Sequence, residues 1–167
     1  MIGKIVVEYA GPIAMGKREI GKHKKRAFYH IGKYWHEHFL PKHFTHAGAR
    51  EYHYEKRKGQ GETGKKFKRS YTGKKHRVLG HTLPLVYSGE TRQRATQTQI
   101  IKANSKRVRV VLRANKLNFI PAGGSINMLQ EIRSVSDAEN KVLQDEFNKH
   151  FQMTIERTNA KKKKVIR

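Results

Sequence analysis

A small α+β fold, in which a short antiparallel β-sheet is packed by an N-terminal and a C-terminal amphipathic helix and a long extended basic arm leaves the core, follows from three features of this 167-residue chain. One apolar stripe at helical spacing runs from Ile20 to Phe39 and a second from Ala138 to Ile155. Between them, SKRVRVVLRAN sets valines against arginines at a period of two, as a half-buried strand does.

Taken in order, MIGKIVVEYAGP alternates loosely, with Ile5, Val7 and Tyr9 on one side, and stops at Gly11-Pro12, which predicts a short strand. From Lys17 the period lengthens. Ile20, Ala27, Phe28, Ile31, Trp35 and Phe39 then draw one face of a helix that ends near Leu40, before Pro41, while Lys22, Lys25, Arg26 and Lys33 occupy the other face. Neither period survives from 43 to 80, where Gly, Lys, Arg, His and Tyr dominate and too little apolar surface is on offer to order the segment by itself. This is the expected extended arm, with Phe44, Tyr52, Tyr54, Phe67 and Tyr71 as anchors along it.

TQTQII and SKRVRVVLRAN make a hairpin about Ala103-Asn104-Ser105, with Val108, Val110 and Leu112 inward and Arg107, Arg109 and Arg113 outward. Further strands are expected around Leu117–Ile120 and in INMLQEIRSV. Ser136 and Glu139 form a capping box that opens a helix over about Asp137–Glu156, carried by Ala138, Leu143, Phe147, Phe151 and Ile155. Residues 159–167 read as a basic tail. The whole, 1–167, reads as a single domain with appendages.

The charge limits what such a chain does. Thirty-seven Lys and Arg face 13 Asp and Glu, a formal net charge of +24, with a mean hydropathy of −0.83. A protein so charged repels itself and attracts polyanions, so nucleic acid, an acidic protein surface or anionic lipid is the expected neighbour. The charge is also segregated. Glu131–Glu156 holds six acids against Arg133, Lys141 and Lys149, a net of −3 in an otherwise basic chain.

No apolar run approaches the roughly 18 residues of a membrane span, and the N-terminus lacks a signal-peptide pattern, so a cytosolic, non-membrane protein is expected. With no cysteine, disulfides and thiolate chemistry are excluded. Nine of the ten histidines lie between His23 and His81, but WHEHFLPKHFTH fits no zinc spacing, and polar histidines at an interface are the expectation. GKREIGKHKKR and GQGETGKK lack the spacing of a phosphate-binding loop, and no nucleophile, base and orienting group converge. No enzyme, cofactor or metal is expected. The basic residues of the first helix, the arm and the hairpin are the candidates to face a polyanion, Lys25, Arg26, Arg107, Arg109 and Arg113 foremost.

A resemblance covers about two thirds of the chain. Gly48-Ala49, Tyr52 and Tyr54 with Lys56-Arg57, Tyr71 with Lys74-Lys75, Pro84-Leu85-Val86, Ser88-Gly89 and Arg92 stand in an order similar to that of tailed-bacteriophage neck proteins of the tail-completion, minor-tail and virion-morphogenesis kind. The chain departs from that pattern at Glu90-Thr91, where a basic or apolar pair is more usual. The C-terminal passage from INMLQEIRSVS into an acidic-fronted helix is similar too.

The resemblance implies that Pro-Leu-Val leaves the arm and enters the sheet, Ser-Gly turns, and a strand bearing arginines follows. It implies a structural virion protein, a homo-oligomeric ring commonly of six copies between head connector and tail, assembled in host cytoplasm, around the path of the DNA and in non-specific contact with it. Tyr52, Tyr54, Arg57 and Tyr71 would dock the arm on a neighbouring subunit, and Phe147 and Phe151 would seat the last helix at that interface. The alternative is a ribosomal or other RNA-binding structural protein, which accounts for the charge better and for the acidic helix less well. A protein that compacts DNA is a third possibility.

Overall fold

The first stripe makes the helix its spacing demands: α1, Lys17–Tyr34, buries Ala27, Phe28 and Ile31. In the computed structural model, which describes residues 16–97, 100–118 and 126–165, α1 loosens into a π-helical turn at Trp35–Phe39 and a 3-10 turn at Leu40–Phe44. Pro41 explains the loosening. It offers no amide hydrogen, and its ring would collide with the carbonyl four residues back in a regular helix.

Antiparallel strands β1 (Ile100–Ala103) and β2 (Val108–Val111) form the hairpin, paired Ile100 with Val111, Ile101 with Val110, Lys102 with Arg109 and Ala103 with Val108. The Asn104 side chain shapes its turn by accepting hydrogen bonds from the amides of Lys106, at 2.8 Å, and Arg107, at 2.9 Å. The terminal helix, α7, covers Asp137–Val165 and so runs on through most of the expected basic tail. Its capping box is formed: Ser136 Oγ accepts from the Glu139 amide at 3.2 Å, and Glu139 Oε2 accepts from the Ser136 amide at 3.3 Å.

The described chain divides into two compact units. One unit contains α1, the hairpin and α7. Its core joins Ala27, Phe28 and Ile31 to Phe147, Phe151 and Ile155, with Ile20, Ala103, Val108 and Leu143 packed around them. The Phe28 and Phe147 rings sit 4.8 Å apart at 59°, within the range of favourable aromatic pairs. Gly32 lets the sheet approach α1: a Cβ there would come within 2.6 Å of a Val108 methyl. Ala138, assigned to the apolar stripe, is exposed, and its neighbour Glu139 is buried instead, held there by the cap.

The second unit holds residues 38–98 and 112–134. Here the structure corrects the expected ribbon. Residues 43–80 contain three short helices, α2 (His46–Glu51), α3 (Gly64–Arg69) and α4 (Tyr71–Leu79). Two more follow, α5 (Glu90–Gln97) and α6 (Met128–Glu131). Their buried apolar side chains come from scattered positions, among them Leu40, Phe44, Tyr52, Leu85, Val86, Leu117 and Ile132.

The strand expected in INMLQEIRSV is α6, started by Asn127, whose side chain accepts from the Gln130 amide at 3.0 Å. Asn115–Asn118 is a 3-10 turn where a strand was expected, and the remainder of that strand, like the strand over residues 1–12, lies outside the described residues.

Candidate nucleic-acid interface

The resemblance placed Pro84-Leu85-Val86 in the sheet and Arg92 on a strand, and neither holds. The three apolar residues are buried in a turn of the second unit, and the arginine lies on α5. Gly89 does make the turn, at φ +85, a backbone conformation that glycine tolerates best. Glu90 then has a local reason to replace a basic residue. It opens α5, where a carboxylate suits the helix dipole, and it pairs with Arg94 at 2.7 Å and with Lys116. The hydrogen bond from Lys116, and then the charges of Arg94 and Lys116, hold its carboxyl below the usual carboxylate range.

Three of the four residues assigned to arm docking are engaged within their own unit. Tyr52 is buried and stacks on His43, ring centroids 4.0 Å apart and 2° from parallel. Tyr54 Oη and His43 Nδ1 share a hydrogen bond of 2.5 Å. Arg57 makes a bidentate bridge to Glu131, at 2.8 Å and 2.5 Å, and its Nη1 also donates to the Glu55 carbonyl. Only Tyr71 remains half exposed. Phe147 and Phe151 do seat the last helix, but as core of the first unit, where they are 0% and 3% exposed and present no surface to a second copy.

The histidines are distributed differently from the expected polar interface. His23, His36 and His43 are buried. His30 reaches Glu146 at 3.3 Å and stacks on His150 at 4.4 Å. Burial, then the neighbouring His30 and Arg157, push His150 below the usual imidazole range, against the opposing pull of Glu146. Among the described residues no three His, Asp or Glu side chains gather as a metal site.

His43 has the larger shift, down to about 4, caused first by burial; a hydrogen bond with the Glu131 backbone opposes it and the Lys42 charge adds to it. A histidine whose folded pKa is depressed binds fewer protons than the unfolded chain between the two values, so stability is lost as pH falls through that window. Going from pH 7 to pH 5 is therefore expected to cost about 2 kcal/mol through this residue. Denaturant midpoints measured across that range check it. The dependence should largely disappear in His43→Phe, which keeps a ring against Tyr52.

Four of the five basic candidates lie in the first unit and one, Arg113, in the second. In the first unit, Lys25 and Arg26 are exposed on α1, and Arg109 is exposed on the outer face of the hairpin. Lys102 stands directly across from Arg109, a like-charge pair that weakens a sheet unless an anion lies between. Arg107 belongs to the turn before β2, and Arg113 lies beyond its end, in the second unit, so only one of the three arginines sits on the strand itself.

A second surface lies in the segment expected to be a ribbon, whose cations count among those expected to meet a polyanion but give no sign in the sequence of being folded together. Between Glu62 and Glu90 there are seven Lys and Arg and no acid, and the structure folds most of them into the α3–α4 corner. Ser70 caps α4 by accepting from the Gly73 amide at 3.1 Å. Gly73 packs so tightly that a Cβ would lie 1.9 Å from the Phe67 carbonyl oxygen.

Lys75 turns inward and donates to the Leu83 carbonyl. Its pKa falls to about 8, chiefly through burial and then through the charge of Arg57. No family model matches the chain, and no curated protein or solved structure matches it. No helix among the described residues is long and apolar enough to cross a membrane.

Proposed function

We propose that the protein is a structural component of the tailed-phage head–tail junction, a neck or tail-completion protein that forms a ring of identical subunits, joins tail to connector and surrounds the DNA path. The observation that carries this reading is the residue order from Gly48-Ala49 through Tyr-x-Tyr and Pro-Leu-Val to Ser-Gly. Its glycine and apolar members are structural in the second unit: Gly48, Leu85 and Val86 are buried and Gly89 makes a turn.

A ring requires two different surfaces on each subunit that fit one another. One candidate is the outer side of α7. Val142, Asp145, Met153 and Glu156 are all exposed, and at 3.6 residues per turn they fall within about 80° of one another. Two carboxylates share that face with one exposed cation, Lys149, which makes it the least basic side of a basic protein, and the exposed cations of a neighbouring copy complement its carboxylates. The hairpin and α1 cations are then left for DNA phosphates, with affinity that depends on salt and not on sequence.

The test is the native mass of the full chain after exhaustive nuclease treatment, at low and high salt. A discrete ring-sized oligomer is expected at both, and Asp145→Lys with Glu156→Lys should reduce it to monomer without unfolding it. A monomer from the unaltered chain would overturn the ring. It would favour the ribosomal reading, in which RNA supplies the missing counter-charge.

A further inference from the structure

Most charge runs are solvated faces, but the α3–α4 corner differs from one in how it is held. Thr72 donates through its hydroxyl, at 3.0 Å, and its amide, at 3.3 Å, to the Lys58 carbonyl. Lys58 follows Arg57, which the Glu131 bridge ties down from 74 residues away in sequence. Ser70 Oγ donates to the Phe67 carbonyl at 2.7 Å, and Lys75 secures the far side of α4 to Leu83. The backbone of the corner is thus fastened at several points.

What it presents is unneutralised. Lys65, Lys66, Lys68, Arg69, Lys74 and Arg77 are all exposed, and among the described residues no carboxylate pairs with any of them. Six such charges on two short adjoining helices repel one another, a cost that closely spaced anions remove. Fastening them beforehand reduces the entropy lost when a ligand binds.

The aromatic residues indicate which anion. Tyr71 is 53% exposed at the head of α4, and Tyr87, 57% exposed, and Arg57 both lie close enough to act on its hydroxyl. Along α4, Tyr71, Lys74 and Val78 follow at spacings of three and four, and all three are exposed. Uncovered rings among cations suit nucleic acid, whose phosphates take the charges and whose bases or sugars take the ring. An acidic peptide would use the charges and leave the tyrosines idle.

We infer that the α3–α4 corner is a second nucleic-acid contact, with Lys68, Arg69, Lys74 and Arg77 on the phosphate backbone and Tyr71 against bases or sugars. The naming of DNA as the ligand rests on the neck reading; the contact itself rests on the geometry. The experiment titrates the full chain against short labelled duplex and single-stranded DNA while salt is raised from about 50 to about 200 mM. The corner variant K68Q/R69Q/K74Q/R77Q is compared with the hairpin variant R107Q/R109Q/R113Q.

The corner variant should lose tenfold or more in affinity at low salt, and its log–log salt slope should shrink by roughly 0.9 for each duplex phosphate contact removed. The hairpin variant should shrink the slope independently. Tyr71→Ala should weaken single-strand binding about five- to tenfold. A corner variant with unaltered slope and affinity, or polyglutamate competing as well as unlabelled DNA, would overturn the contact, and an unaffected Tyr71→Ala would overturn the role of the ring. Native mass after nuclease separates this inference from the neck reading. A monomer that still binds DNA through its corner sinks the ring and leaves the contact standing, whereas a ring whose DNA binding ignores the corner does the reverse.

Discussion

Phe147→Ala is expected to destabilise the first unit by about 3–5 kcal/mol, the range for removing a buried aromatic ring and leaving a cavity. Phe147 is fully buried, with Phe28 at 4.8 Å and Phe151 at 5.9 Å, and it lies where α7 meets α1. Ala27, Ile31 and Ile155 belong to the same core cluster, and Leu143 packs against it.

Guanidinium unfolding should show a lowered midpoint with the slope unchanged. Val142→Ala, on the exposed side of the same helix, should stay within about 0.5 kcal/mol in the dispersed chain. The same pair of variants separates core from interface. If Phe147 worked between subunits, its loss would depend on protein concentration; from within one unit it should not. A loss under about 1 kcal/mol would mean that α7 is seated by other contacts.

Glu131→Ala should have the next largest effect, about 3 kcal/mol, the lower end of the range for breaking a buried ion pair because Arg57 keeps some access to water. The side chains of Arg57 and Glu131 are 18% and 10% exposed. Removing the carboxylate leaves a mostly covered guanidinium uncompensated and strips the Glu55 amide of its acceptor at 3.2 Å. The loss should exceed the net worth of the bridge, which the double variant Arg57→Met with Glu131→Met tests. Replacing both charges with apolar chains should recover at least about 1 kcal/mol over the single substitution.

Function supplies a further readout. Since Arg57 adjoins the loop that fastens Thr72, Glu131→Ala should also weaken DNA binding by the corner while leaving binding by the hairpin intact. A stable Glu131→Ala protein would show that the 55–60 loop is held by its backbone contacts alone.

Elements whose order depends on near neighbours were legible in the sequence. The stripe of α1, the alternation of β2 and the Ser136–Glu139 box each combine a period or a cap with its own local hydrogen bonds, and these residues form the elements expected of them. The end of α1 was misjudged because the stripe runs on to Phe39, while the backbone already widens at Trp35 on its approach to Pro41. Ala138 was misassigned for a related reason. Periodicity alone gives no sign that Glu139, engaged in the cap, takes the inward place.

The chain by itself determined the mixed helix-and-hairpin class, the apolar residues joining α1 to α7, and a charge that calls for an anionic neighbour. Tertiary structure decided what becomes of residues 43–80. Those residues lack enough apolar surface to order themselves, and their anchors lie outside the segment: Glu131 for Arg57, Thr82 for His46 and, just past the segment's end, Leu83 for Lys75. Such pairings have no period and no local motif, so composition read the segment as a ribbon. The fold instead makes of its second half a fastened corner whose cations and open Tyr71 face water.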